Sequence, residues 1–360
     1  MLKTTYSGSL SPHIRMKRHL FFVILHIDYN MVMTPYPTIA IIGAGQIGSR
    51  HLQGAARCSS PLDIYIVDPS QQSLETAKER FHQVAPPDCH HLLHTVENAS
   101  LLPKHIDIAV IATDSMHRLE ALKSLTGHCS VDTVILEKFL FTKLEEYVQA
   151  ASLLESKGIT AYVNCPRRVW PAYEKIATLI DTSQPLAMSK TGRDWGLCCN
   201  AIHFIDVFLW LAAQDQYSVS TEMIRPEVIP SKRNGYIELF GTLNITTPRG
   251  DTLSLTSLPD DMPAEVVIRQ EGLLLDFDEG AGNISYRLTR NGKTREESLN
   301  IHTPFQSELT GEIIEKILAG LDPGLCSYAE SSSAHRELFI PLLDFVNNMS
   351  GTHSDCLPIT

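Results

Sequence analysis

The chain predicts an α/β protein, with a doubly wound parallel sheet at its N-terminal side and then an α+β domain built on an open, mostly antiparallel sheet. Three observations carry this. From residue 38 to about 165, short apolar runs alternate with amphipathic stretches. A glycine-rich turn joins the first run to the first helix. After two further helices, short alternating runs are divided by turn signals. Strands that alternate with helices give a parallel sheet, whereas strands joined by tight turns give an antiparallel one.

In the first half, strands are predicted at 38–42, 63–67, 107–112, 132–136 and 160–164, and helices at 46–57, 71–84, 116–126 and 143–156. The fourth helix is the best punctuated: Thr142 and Glu145 read as a capping box, and Gly158 follows its end. In the second half, helices at 171–181 and 200–213 precede strands bounded by Arg233-Asn234-Gly235, Pro248-Arg249-Gly250 and Arg290-Asn291-Gly292. Helices near 304–320 and 328–348 close the chain. The predicted division is an extension at 1–35, a first domain at 36–165, a second at 166–350 and a tail at 351–360.

The turn is the most specific motif. Ile41-Ile42-Gly43-Ala44-Gly45-Gln46-Ile47-Gly48 is a strand running into G-x-G-x-x-G, and Asp68 ends the next apolar run twenty residues beyond Gly48. Strand, triplet, helix, strand and acid in this order form the dinucleotide-binding signature of a Rossmann domain. Gly43 permits the tight turn, Gly45 lets the backbone approach a pyrophosphate, and Gly48 lets the helix pack on the strand. The free N–H groups of the helix end at Gln46 and Ile47 face the phosphates. Asp68 can accept from ribose hydroxyls and would repel a 2′-phosphate, so NAD is expected as cofactor ahead of NADP.

Bulk properties narrow the class. The 360 residues suffice for two cores. Hydrophobic content of 43% and charged content of 20% are those of a globular protein. A net charge of −11 argues against nucleic acid as partner, because phosphate backbones require clustered Lys and Arg. No apolar run approaches a membrane span. The eight cysteines are scattered without a C-x-x-C pair, which fits reduced thiols and a cytoplasmic setting. At the N-terminus, Lys3, Arg15, Lys17 and Arg18 precede the apolar Leu20–Leu25, a faint signal-peptide pattern. Its six-residue length, the following His26 and Asp28, and the missing cleavage site instead predict a disordered or mis-assigned extension, with Met31 or Met33 as the start.

In an open parallel sheet, ligands lie beyond the carboxyl ends of the strands. Those ends carry Thr113-Asp114-Ser115, Glu137-Lys138 and Asn164-Cys165-Pro166-Arg167-Arg168. Lys138 can hydrogen-bond a substrate hydroxyl and stabilise the alkoxide that forms as hydride leaves; the plainer alternative is a solvated lysine at a strand end. On the second-half helix, Asn200, His203 and Asp206 lie at i, i+3 and i+6 within an apolar stretch. His203 suits a general base, and a buried histidine bonded to Asp206 is the alternative. Cys89, His90, His91 and His94 are not read as a metal site, since no further ligand is placed to complete them. Ser331-Ser332-Ser333 with His335 is a helix start and not a nucleophile motif.

On the segments Ile41–His51, Val67–Ser70, Ala112-Thr113, Glu137-Lys138, Asn164 with Arg167, and His203–Asp206, the chain resembles the Gfo/Idh/MocA family of nicotinamide-dependent oxidoreductases, over roughly residues 36 to 350. The resemblance implies hydride transfer to or from a secondary alcohol of a sugar, inositol or nucleotide-sugar, and a homodimer or homotetramer formed through the second sheet. It places Lys138 on the family's E-K-P lysine and His203 on the histidine of its D-x-x-x-H motif, with Asn200 and Asp206 beside it. It also implies cofactor contacts from Gly43, Gly45, Gln46, Ile47, Gly48, Asp68, Thr113, Asp114, Arg118, Glu137 and Asn164. Four positions depart from the pattern. Phe139 stands where proline is usual, so the backbone around Lys138 is expected to differ. Cys199 replaces the aspartate of the histidine motif, which leaves Asn200 or Asp206 to orient the imidazole. Arg118 replaces a frequent histidine, and Asp114 a common proline. Arg167 and Trp195 are candidate substrate contacts, Arg167 for an anionic group. Two non-catalytic alternatives accompany this reading: a dinucleotide-binding regulator of the same fold, and a structural subunit of a biosynthetic complex.

Overall fold

The computed structural model describes residues 36–86, 89–280, 283–290 and 292–360; the expected extension at 1–35 and Asn291 of the last turn signal lie outside them. The chain begins with β1 (Thr38–Ile42), α1 (Gln46–Ala55), β2 (Asp63–Val67), α2 (Gln71–His82), β3 (Leu92–Val96), β4 (His105–Ile111), α3 (Arg118–His128), β5 (Ser130–Leu136), α4 (Leu144–Lys157) and β6 (Thr160–Val163). These six strands pair in parallel in the order β6-β5-β4-β1-β2-β3. Past its first residue, Thr38, the central strand β1 is apolar because helices cover both faces of the sheet: Ile39 to Ile42 are all buried. β3 was not predicted. It is an edge strand with no fully buried residue, and its histidine obscures the apolar alternation. The cap of α4 lies one residue later than expected, with Glu146 and not Glu145 accepting from the amides of Thr142 and Lys143, both at 3.0 Å.

After a 3₁₀ turn (Pro166–Val169) come α5 (Pro171–Ala177), β7 (Ala187–Arg193), α6 (Leu197–Ala212), β8 (Ser218–Ile224), β9 (Ile229–Pro230), β10 (Ile237–Glu238), β11 (Gly241–Thr246), β12 (Thr252–Leu258), β13 (Glu265–Gln270), β14 (Leu273–Asp278), β15 (Asn283–Arg290) and β16 (Lys293–Asn300). Eight of these strands form a second sheet in the order β16-β15-β14-β13-β7-β12-β11-β8, antiparallel except for β7 with β12. β14 shows why one face is inside: Leu273, Leu275 and Phe277 are buried while Asp276 and Asp278 point out. The apolar α6 packs under this sheet.

The last part of the chain returns to the parallel sheet. α7 (Gln306–Leu318) lies against α1, where a Cβ on Gly311 would meet the Gly54 oxygen at 2.7 Å. β17 (Cys326–Ser327) adds antiparallel to β6, and α8 (Tyr328–Ser350) follows. Beyond α8, Leu357 and Ile359 are buried. The Leu357 amide donates to the Thr142 oxygen at 2.9 Å and Ser115 Oγ donates to the Ile359 oxygen at 2.5 Å. Among the described residues no helix is long and apolar enough to cross a membrane.

His335 of α8 is fully buried, 4.7 Å from the Phe139 ring, with Nδ1 donating to the Ser331 oxygen at 2.7 Å. Burial pushes its pKa down from 6.5 to about 3. The unfolded chain therefore takes up a proton here near neutrality and the folded chain does not. Its contribution is present above pH 6.5 and is lost as pH falls toward 3, at about 1.4 kcal/mol per pH unit. Urea unfolding between pH 7 and 4.5 should show His335→Phe losing about one proton's worth of this slope; equal slopes in variant and native chain would contradict it.

Candidate active site

The glycine turn stands at the carboxyl end of β1. Gly43 has φ +99°, a conformation L side chains rarely adopt, and a Cβ on Gly48 would fall 1.8 Å from the Gly43 oxygen. A Cβ on Gly45 would meet nothing within 4 Å, because Gly45 faces an open cleft of about 690 Å³ lined also by Gln46, Ile47 and Asp68. The Asp68 carboxylate accepts from the Ala44 and Ser70 amides, both at 2.8 Å, which holds it at the rim of this cleft. Glu97, Asp114 and Glu120 line the same cleft. Thr113, with a buried Oγ1 lacking a partner among the described residues, lies where this cleft meets a second cavity of about 610 Å³. An open cradle at Gly45, a hydroxyl awaiting a partner, and an acid at the ribose position fit a dinucleotide.

The second cavity contains Lys138. Its position is set from behind by two buried groups. Arg118 donates from Nη1 to the Phe139 and Leu140 oxygens, the latter at 2.9 Å, and from Nη2 to the Thr113 oxygen. Burial lowers the Arg118 pKa to about 10, so it remains a cation at neutral pH. Glu137 accepts from His51 Nε2 at 2.8 Å and from Asn164 Nδ2 at 2.5 Å. His51 Nδ1 meets Thr310 Oγ1 at 2.9 Å, and Gln306 bonds both Asn164, at 2.8 Å, and Thr310, at 3.0 Å. These five side chains close a ring that ties β5 and β6 to α1 and α7. Burial would raise the Glu137 pKa, but the hydrogen bonds and charge of His51, with Asn164 and Lys138, hold it below the usual range. The Lys138–Phe139 peptide is cis.

Lys138 Nζ donates to the Cys199 oxygen at 3.2 Å and contacts its Sγ at 3.1 Å. Facing it are Asn200, Trp195 and Glu238. Glu238 accepts from the amides of Cys198 and Cys199 at 2.8 and 2.9 Å, capping α6, and burial raises its pKa. The sequence signal for it is an acid within the apolar run Ile237–Phe240, a signal absent from the residues expected at the site.

The expected residues divide. Gly43, Gly45, Gln46, Ile47, Asp68, Thr113 and Asp114 line the cleft, and Arg118, Glu137, Lys138, Trp195 and Asn200 line the cavity. Gly48 and Asn164 act from behind. His203 is partly exposed one turn beyond Cys199 but is not among the cavity's lining residues. Its Nδ1 is buried without a partner among the described residues. Burial, then the charges of Lys138 and Arg167, keep its pKa well below 6.5, so the imidazole is neutral. Neither expected orienting group reaches it. Asp206 is held by the fork of Arg168, both bonds at 2.8 Å, and Asn200 donates to the Trp195 oxygen at 2.7 Å. Arg167 is likewise taken: its guanidinium pairs with Glu279 at 2.8 and 2.9 Å and stacks 4.1 Å from the Phe204 ring. Asp63, absent from the expected histidine cluster, bonds His94 Nε2 at 2.8 Å, while His91 Nδ1 accepts from the Leu62 amide. Among the described residues, the one group with metal-ligand spacing is the partly exposed trio His105, Asp107 and Asp132, at the N-terminal ends of β4 and β5, away from the cleft.

Residues 38–165 match the model of the oxidoreductase family with NAD-binding Rossmann fold, Gfo/Idh/MocA. The first domain belongs to that family. No curated protein sequence matches the chain. Among solved structures, it is similar to the UDP-N-acetylglucosamine 3-dehydrogenase GnnA from Acidithiobacillus ferrooxidans, at 13% identity and TM-score 0.63 over 88% of this chain and 97% of that one. It is also similar to a 3-ketoreductase from Actinomadura kijaniata in complex with TDP-benzene and NADP, at 15% identity and TM-score 0.62 over 85% and 96%. A third is an oxidoreductase from Agrobacterium radiobacter in complex with NAD⁺, L-tartaric acid and magnesium, at 13% and 0.62 over 83% and 93%. At these identities the likeness is one of fold.

Arg118→Ala removes the donor from three main-chain oxygens behind Lys138. It should cost about 3 kcal/mol or more in stability and accelerate hydrogen exchange of the amides at 139–142. Unchanged exchange there would show that Arg118 does not hold the loop.

Proposed function

We propose that this protein is an NAD-dependent oxidoreductase acting on a secondary alcohol, or the corresponding ketone, of a sugar, inositol or nucleotide-sugar. The observation that carries the reading is Lys138: an ammonium group within a cavity that shares Ile47 and Thr113 with the dinucleotide cleft. When bound, NAD accepts or supplies the hydride. In the direction of oxidation, Lys138 donates a hydrogen bond to the substrate oxygen and stabilises the negative charge that develops as the C–H bond breaks. The hydroxyl proton goes to the neutral imidazole of His203, one turn beyond Cys199 and outside the residues that line the cavity, so the transfer requires the substrate oxygen to approach past Cys199, and reduction returns it. Asn200 and Trp195 lie at the cavity wall where a sugar ring would rest, and Gly43, Gly45, Gln46, Ile47 and Asp68 hold the dinucleotide. The four acids along the cleft favour a ribose without a 2′-phosphate. A sugar substrate is supported by the name of one structural neighbour, a UDP-N-acetylglucosamine 3-dehydrogenase.

Incubation with NAD and fractionated bacterial sugar metabolites, followed by NADH absorbance, tests this. Signal is expected from the native chain, and a loss of about a hundredfold or more from Lys138→Ala with NAD affinity retained. NAD binding without turnover in either direction would favour the regulator. For the cofactor, calorimetry should show Asp68→Ala weakening NAD, with NADPH binding the native chain no better than NADH. Tighter NADPH binding would sink the assignment.

A further inference from the structure

Arg233 belongs to the turn between β9 and β10, far along the chain from the parallel sheet, yet it lines the dinucleotide cleft as well as the substrate cavity. Every other residue lining that cleft comes from the first domain. The turn is well held. The Ser231 amide donates to the Tyr236 oxygen at 2.9 Å and the Tyr236 amide to the Arg233 oxygen at 3.2 Å, with Gly235 at φ +84°. The Tyr236 side chain is buried, its hydroxyl accepting from the Met116 amide at 3.4 Å, and the Ile237 amide donates to the Pro358 oxygen at 2.9 Å. Arg233 is therefore carried by a hairpin fastened to the first domain.

Its guanidinium has capacity to spare. It lies 5.9 Å from the Tyr236 ring centre and donates to the neutral Thr360 Oγ1 at 3.0 Å; among the described residues no carboxylate pairs with it. The cleft it overlooks is otherwise acidic, through Asp68, Glu97, Asp114 and Glu120, and His117, the other basic side chain there, is bonded to Asp114 at 2.7 Å. α1 carries no basic residue in its first turn. A dinucleotide pyrophosphate brings two negative charges into this cleft, and the N–H groups of the glycine turn offer partial charge alone. A planar guanidinium that can bind two phosphate oxygens is the missing complement.

We propose that Arg233 clamps the pyrophosphate of the dinucleotide from the second domain, opposite the glycine turn, so that cofactor binding engages both domains. This rests on the cofactor reading above. The same group could instead meet a phosphate on a substrate in the adjoining cavity, and the experiment separates the two. Calorimetry or saturation-transfer NMR would follow NAD, ADP-ribose and adenosine binding to the native chain, Arg233→Ala and Arg233→Lys. The expected result is about a tenfold loss for NAD and ADP-ribose in Arg233→Ala, with adenosine within about twofold and partial recovery in Arg233→Lys. NAD and ADP-ribose binding equally well to Arg233→Ala, as they would if the arginine served a substrate phosphate, overturns the clamp and leaves the cofactor reading intact. An equal loss for adenosine also overturns it, because the effect then lies outside the pyrophosphate. A native chain that binds neither NAD nor ADP-ribose overturns both readings.

Discussion

Glu137 is a buried carboxylate at the end of β5, and the neighbouring Lys138 inherits its position from it. An ionised acid in the interior survives only if its oxygens are satisfied. Here His51 and Asn164 satisfy one oxygen, and Thr310 and Gln306 complete the circuit. The ring joins the helix that begins at the glycine turn, two strand ends, and a helix from the far end of the chain. Connected polar networks rigidify their surroundings, and in this one the Asn164 Oδ1 is buried without a partner among the described residues. The geometry of the pyrophosphate turn and that of the reacting lysine are thus held by one structure.

This constraint explains why the chain returns to its first domain after the second sheet. α7 supplies Gln306 and Thr310, and it approaches α1 closely because Gly54 and Gly311 leave no side chain between the backbones. The segment beyond α8 then bonds to Thr142, Ser115 and Ile237, and its last residue, Thr360, lines the cavity. The second domain supplies a wall from α6 and the β9–β10 hairpin. Its buried ion pairs, Arg167 with Glu279 and Arg168 with Asp206, are turned inward to fix that wall and are not presented to a ligand.

Much of this was legible in the sequence where the requirement is local. The glycine turn could be read because each of its positions answers a demand of the backbone itself, and Asp68 because a strand end fixes where its side chain goes. The parallel strands were legible from unbroken apolar runs, β3 excepted. What escaped depends on partners distant in the chain. Glu137 was read as a cofactor contact, while its bonds run to His51, 86 residues earlier, and through it to Thr310, 259 residues beyond His51. Arg167 looked like an anion site because its partner Glu279 is 112 residues away. Asn200, His203 and Asp206 share a helical spacing, but spacing does not say which neighbour claims each side chain, and Arg168 claims Asp206.

The central claim is that Lys138 and a nicotinamide face one another across the junction of the two cavities. A crystal structure of the chain with bound NAD tests it most directly. The expected structure has the pyrophosphate over the amides of Gly45 to Ile47, the adenosine ribose against Asp68, and nicotinamide C4 open to the cavity that holds Lys138. A dinucleotide seated elsewhere, or a nicotinamide ring turned away from Lys138 with Cys199 left between them, would contradict it.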